Sequence, residues 1–269
     1  MLEAVLRSME WLQYVALAGL WGLLLLAERW APRRSAQAGV WARWRVNLGL
    51  YALGVVVMLA VQDTVQPAAI RLGSQTGWGG LAAMDLPDGL KIVLGVCLAD
   101  LIQYGLHWLA HRVPVLWRLH QVHHADVGFD VSTSVRHHPL EVLVLTVLTL
   151  LLCAAVGMPW VSLVLYGGVH MLHSAFCHAN IALPPPVDRW LRQGLVTPDM
   201  HRVHHSANMG EGNRNFGLVF PWWDRLLGTY VDQPALGHEG MALGLADAEA
   251  RHKTGWWRSL RLPFERLPP

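Results

Sequence analysis

Histidine is the residue in which this sequence is unusually rich, and its spacing repeats. His107-x-x-x-His111, His120-x-x-His123-His124 and His201-x-x-His204-His205 each place imidazoles at intervals of three or four residues. On a helix those positions share one face about 5–6 Å apart, so each segment aims two or three ring nitrogens at a common point. That is the geometry of a metal-ligand set. With 15 His in 269 residues, chance gives an HxxHH about 0.05 times per chain, and two copies in about one such chain in a thousand. An isolated HxxxH pair would fit solvated histidines equally well; the three segments together do not. Eight nitrogens exceed what one tetrahedral or three-ligand zinc can use, so about two ions are implied. Imidazole serves Fe, Zn, Cu and Ni alike, and spacing alone leaves the metal open.

Other chemistries are poorly supported. Cys97, Cys153 and Cys177 form no CxxC pair, and two of them lie in apolar runs, which argues against a disulfide framework or a thiolate zinc site. The sequence holds neither a GxGxxG fingerprint nor a haem-attaching CxxCH, so electrons for any redox step would come from another protein. A net charge of +2 gives no reason to expect nucleic acid as a partner.

The elements that must carry these histidines read as membrane helices. Hydrophobic residues make up 53% of the chain and charged ones 15%, with a mean hydropathy of +0.30, outside the range of an ordinary water-soluble domain. The 14 Trp suit anchoring at a bilayer interface. Apolar runs at Trp11 to Ala27, Val46 to Val61, Leu90 to His107, Val142 to Trp160 and Val161 to Phe176 predict an all-α integral membrane bundle of about four to five spans. The first reads as a retained span, because Glu3 and Glu10 precede it and its small residues fall inside the run. A polar, Gly-rich connection is expected from Thr64 to Gly89, and a tight hairpin around Gly157-Met158-Pro159.

Loop charge sets the orientation. Arg29, Arg33, Arg34, Arg43 and Arg45 crowd the first loop, against Arg71 and Lys91 in the second, so the first loop is cytoplasmic and the amino terminus is outside. Five spans then put all the dense histidine clusters on the cytoplasmic side, as a helical cap on a multi-pass protein of the inner or cytoplasmic membrane. Three regions follow: residues 1–87 with the first spans, 88–232 with the histidines, and a cytoplasmic tail at 233–269.

The boxes HWLAH, HQVHH and HRVHH, with SVRHHPLE, FCHANIALP and NFGLVFPWWDRLLGTY in the same order over about residues 90 to 230, resemble the sterol desaturase / fatty acid hydroxylase superfamily. The resemblance implies a non-haem centre of two Fe ions, with O2 as co-substrate. It carries ligand roles onto His107, His111, His120, His123, His124, His201, His204 and His205, adds His178 in FCHAN, and less surely His138 before Pro139. It further implies a membrane lipid as substrate, such as a sterol, fatty acyl chain or alkylglycerol, hydroxylated or desaturated. A ferredoxin, cytochrome or flavoprotein reductase would be the external electron donor, docking near Arg112, Arg118, Arg202 or Arg214.

Around that set, Asp100 and Tyr104 fall on one helix face with His107 and His111, where a carboxylate could orient a ligating imidazole or be held by a neighbouring helix for packing. Asp199, just before His201, has the same choice between orienting a ligand and serving a helix amino terminus. His138 could equally be a helix-entry residue. His137 is less constrained, His170 and His173 read as pocket-lining or core polar groups, and His238 and His252 as surface residues. Two other classes compete: a membrane metal or haem carrier, which would spread its ligands across the bilayer depth, and a zinc-dependent lipid hydrolase, for which no HExxH is present.

Overall fold

The computed structural model describes residues 2–35, 39–75, 80–246 and 255–265. These residues are all-α, with no strand beyond two isolated antiparallel bridges, Pro32 with Ile181 and Ser206 with Leu243. They divide into two compact units.

One unit comprises residues 39–127, 135–166 and 244–269. Its helices are α2 (Val40–Gln75), α3 (Gly80–Ala83), α4 (Asp88–Arg112), α5 (Pro114–His124), α6 (Pro139–Ala155), the first part of α7 (Trp160–Cys177), and α13 (Trp256–Arg261). Val40–Val65, Asp88–Arg112 and Trp160–Cys177 are long and apolar enough to cross a membrane, whereas the apolar α6 has 17 residues. At 1.5 Å per residue it reaches about 25 Å, short of the ~30 Å hydrocarbon core. The expected polar connection after Thr64 is helical as far as Gln75, with Pro67 inside the helix. Its Ala-Ala-Ile-Arg-Leu stretch is strongly helix-forming and outweighs one proline.

Two local breaks set the site. Pro114 follows Val113, and a residue before proline is pushed out of the helical region, so α4 ends and α5 begins one residue later in a new direction. Box one on α4 and box two on α5 can thereby face one another. At the α6–α7 turn, Gly80 adopts a φ of +42°, and the amides of Leu81 and Ala82 donate to the carbonyls of Val156 and Gly157, both at 3.0 Å. A Cβ at Gly80 would meet the Val156 carbonyl oxygen at 2.0 Å, so only glycine fits. The core of this unit is built on Val46, Leu50, Val122, Ala125, Leu245 and Leu262.

The second unit comprises residues 1–38, 128–134 and 167–243. It holds α1 (Leu2–Trp30), the end of α7, α8 (Pro185–Leu191), α9 (Pro198–His204), α10 (Met209–Gly212), α11 (Trp222–Leu226) and α12 (Gly237–Gly240). Proline at the first turn starts α8 and α9, and the Thr197 hydroxyl caps α9 by accepting from Met200 N. The NFGLVFPWWDRLLGTY motif folds into a knot of polar contacts. Asp224 accepts from the amides of Phe216 (2.8 Å) and Gly217 (2.7 Å) and from the Thr229 hydroxyl (2.6 Å). Burial raises its pKa, against the pull of those three donors. Asn215, at a φ of 53°, donates to the carbonyls of Met200 and Val231 and accepts from Val231 N, which braces α9 from below.

Candidate metal centre

His107, His111, His120 and His124 offer ring nitrogens that lie within 4.8 Å of one another. The first two are one turn apart on α4, the others one turn apart on α5. Nε2 of His120 is 3.1 Å from Nε2 of His107 and 3.1 Å from Nε2 of His124, and the His111 ring stands 4.7 Å from that of His124. Two nitrogens bound at right angles to one ion, each about 2.1 Å away, lie about 3.0 Å apart. The spacing is that of adjacent ligands on one ion.

A carboxylate supports this group. Glu141 Oε1 is 2.6 Å from Nδ1 of His120, and its other oxygen is 3.3 Å from Nδ1 of His137, whose ring stacks on His123 at 4.5 Å. With Nδ1–H donated to Glu141, the Nε2 of His120 offers a lone pair. His123, buried on α5, has Nδ1 3.2 Å from the Arg136 carbonyl. Glu141 escapes a search for histidine spacing; its signal is the HPLE run, in which Pro139 opens α6 and holds Glu141 in its first turn.

A similar group is built in the second unit. His178, His201 and His205 offer nitrogens within 4.8 Å of one another, with 3.0 Å between Nε2 of His178 and Nε2 of His201. Nδ1 of His178 is 2.8 Å from the Ser174 carbonyl one turn back on α7, and Nδ1 of His204 is 2.8 Å from the Arg214 carbonyl. Each carbonyl can take the Nδ1 proton, which leaves the Nε2 lone pair available to a metal ion. Phe129 covers this group, its ring 5.6 Å from His178 and 5.2 Å from His205, while the Arg202 guanidinium lies over the Phe129 ring, 4.9 Å from its centroid.

Several expected residues take other places. His138 caps α6, with Nδ1 accepting from Leu140 N at 3.1 Å and Nε2 3.3 Å from the Leu260 carbonyl. Both its nitrogens face backbone, and it joins neither group. Asp100 is buried and accepts from Tyr166 of α7 at 3.0 Å, while Tyr104 is buried on the same helix. Asp199 sits in the first turn of α9, paired with Arg202, with Arg33 at 3.3 Å and with His238 at 3.3 Å. His238 is 2% exposed, not a surface residue, because Arg34 holds the turn around it through the carbonyls of His238 (2.6 Å) and Met241 (2.8 Å). Arg202 is fully buried, which removes it from the arginines that could receive a partner; Arg112 and Arg214 remain exposed. His173 is buried within α7 and His170 partly so. His252 lies outside the described residues.

A family model described as fatty acid hydroxylase matches residues 92–229, the span that carries all three boxes, His178 and the Asp224 knot. The chain belongs to the fatty acid hydroxylase family. Among its relatives, ornithine lipid hydroxylase OlsE of Rhizobium tropici is 30% identical over 181 residues, covering 67% of this chain and 52% of that protein. Human alkylglycerol monooxygenase is 29% identical over 170 residues, 62% of this chain and 35% of that one. Rat methylsterol monooxygenase 1 is 27% identical over 154 residues, 55% and 48% respectively. The matched region of this fatty acid hydroxylase family member thus spans about half the length of these relatives or less. No solved structure matches it.

Proposed function

We propose that this chain is an O2-dependent, non-haem di-iron oxygenase that hydroxylates a membrane lipid, with electrons delivered by a separate protein at the cytoplasmic face. The observation that carries the reading is the pair of buried imidazole groups, His107, His111, His120 and His124 in one unit and His178, His201 and His205 in the other, each with nitrogens at ligand spacing. His123 and His204, whose Nδ1 atoms are held by backbone carbonyls, complete the set implied by the boxes. Iron bound at these nitrogens would supply the one-electron redox chemistry that O2 requires and that no side chain provides.

The chain's own residues supply position and dryness. Glu141 and the carbonyls of Ser174, Arg136 and Arg214 fix which nitrogen of each ring is the ligand. Trp117, 5.0 Å from the His111 ring, and Phe129 cover their groups with apolar surface, which keeps bulk water off. Ala110, Leu116, Leu119, Val144 and Leu145 pack apolar side chains beside His120 and Glu141, which further excludes water from that group.

Relatives named for ornithine lipids, alkylglycerols and methylsterols support a lipid substrate and hydroxylation over desaturation. Metal analysis of the purified protein tests the centre: about two Fe per chain is expected, and one tightly held zinc overturns it. Lipid extracts of a host with and without the chain test the reaction, with a mass gain of one oxygen expected in one lipid class; a loss of two hydrogens would point to desaturation instead.

A further inference from the structure

Outside the boxes, one side chain touches both walls of the three-histidine group. Glu28 lies in the last turn of α1, before the start of the family match at residue 92. Its Oε1 accepts from the amide of Val131 at 2.8 Å and from the amide of Asn180 at 2.7 Å. Val131 is two residues beyond Phe129, which covers the group; Asn180 is two residues beyond His178, which belongs to it. One carboxylate oxygen therefore joins the chain that carries a histidine to the chain that shields it.

The location argues against a bland role. An acid at a helix carboxy terminus sits against the negative end of the helix dipole, which is an unfavourable placement. Solubility or helix propensity would not select it. Two charge-assisted bonds to backbone amides offset the cost, because a carboxylate accepting from N–H groups makes bonds about twice as strong as neutral ones. The bonded segment is otherwise pinned at the same place: Asn180 O accepts from Arg33 N at 3.0 Å, and the Asn180 side chain bonds both the amide and the carbonyl of Arg34. Glu28 is the member of this set that reaches across to the Phe129 loop.

We infer that Glu28 is a positioning residue of the centre: it clamps Val131 and Asn180 so that Phe129 stays stacked over His178 and Nε2 of His178 stays at ligand distance from His201. The inference rests on the reading of the two imidazole groups as metal sites, and it makes α1 part of the centre rather than only a membrane anchor.

The test uses the full-length protein loaded with 57Fe, measuring release of each ion to an excess of chelator, with Mössbauer spectra before and after. Glu28→Gln is close in shape and keeps the fold, but accepts more weakly. The expected result is that one of two irons leaves about tenfold faster than in wild type, the size typical of losing a ligand-orienting partner, while the other leaves at the wild-type rate. Glu28→Ala is expected to hold one iron, with one quadrupole doublet missing from the spectrum. Two irons released at wild-type rates from Glu28→Gln overturn the clamp, and so does equal acceleration of both, which marks general loosening. A wild-type protein without two irons sinks the di-iron reading itself, whatever Glu28 does.

Discussion

Glu141 Oε1 and Nδ1 of His120 lie 2.6 Å apart, with both side chains buried. The contact ties the first turn of α6 to the first histidine of box two, and it fixes the tautomer of the imidazole whose Nε2 is nearest to two others. Replacing Glu141 by alanine is expected to lower metal affinity by about 10–100-fold. Glu141→Gln, which can still accept at one oxygen, is expected to fall between alanine and wild type. Chelator competition reads the affinity; wild-type affinity in Glu141→Ala would remove Glu141 from the centre.

His138 and His124 give opposite expectations. His138→Ala removes the cap of α6, a loss of about 1 kcal/mol in stability, and leaves the iron content at its wild-type level. His124→Ala is expected to cut the iron content and abolish lipid oxidation while leaving thermal unfolding of the metal-free protein close to wild type. Iron loss in His138→Ala would return that residue to the ligand set.

The boxes were readable because ligands on a helix must recur at three or four residues, and that constraint is local. The hairpin around Gly157 was equally visible, since glycine and proline act on their own neighbours. What could not be read is what long-range contact decides. His138 precedes a proline in a histidine-rich run, and only the fold shows that its nitrogens face Leu140 and Leu260. His238 looks like a surface residue until Arg34, over 200 positions earlier, closes on its backbone. Glu28 and Glu141 carry no periodic signal, because the contacts that matter, to Val131 and Asn180 for one and to His120 for the other, join residues distant in sequence. The polar stretch from Thr64 misled for a related reason: local helix propensity persisted beyond the apolar run.

Arg136 is fully buried and donates to the Val122 carbonyl (2.8 Å), to Asn47 Oδ1 (2.8 Å) and to the Ser259 hydroxyl (3.0 Å). Asp126 accepts from Arg43 and Asn47, all at 3.0 Å. Against its burial, the Arg43 and Arg136 guanidinium groups hold the Asp126 carboxyl below the usual carboxylate range. Asp126→Ala leaves two buried cations without their counter-charge and is expected to cost about 3–5 kcal/mol. In the Arg43→Met, Asp126→Ala double variant one cation is removed with the anion, and the summed losses of the Arg43→Met and Asp126→Ala single variants are expected to exceed the loss of the pair. Chemical unfolding in detergent measures all three. Strictly additive losses would show that the network stores no coupling.

His238 sets a pH dependence. Burial, with the nearby Arg202, Arg33 and Arg192 charges, pushes its pKa down to about 4, against the opposing pull of Asp199. In the unfolded chain the same imidazole titrates near 6.5. Between those values the unfolded state takes up a proton that the folded state refuses, so this contribution to stability is full above about pH 6.5 and falls as the pH drops toward 4. The slope from one such group is at most about 1.4 kcal/mol per pH unit. Other histidines titrate in the same window, so the difference between wild type and His238→Gln isolates the effect. The variant is expected to lose less stability than wild type between pH 7 and pH 5, measured by thermal unfolding of the metal-free protein. Parallel stability curves for the two proteins would mean that His238 is protonated in its buried place, paired with Asp199 as an ion at 3.3 Å.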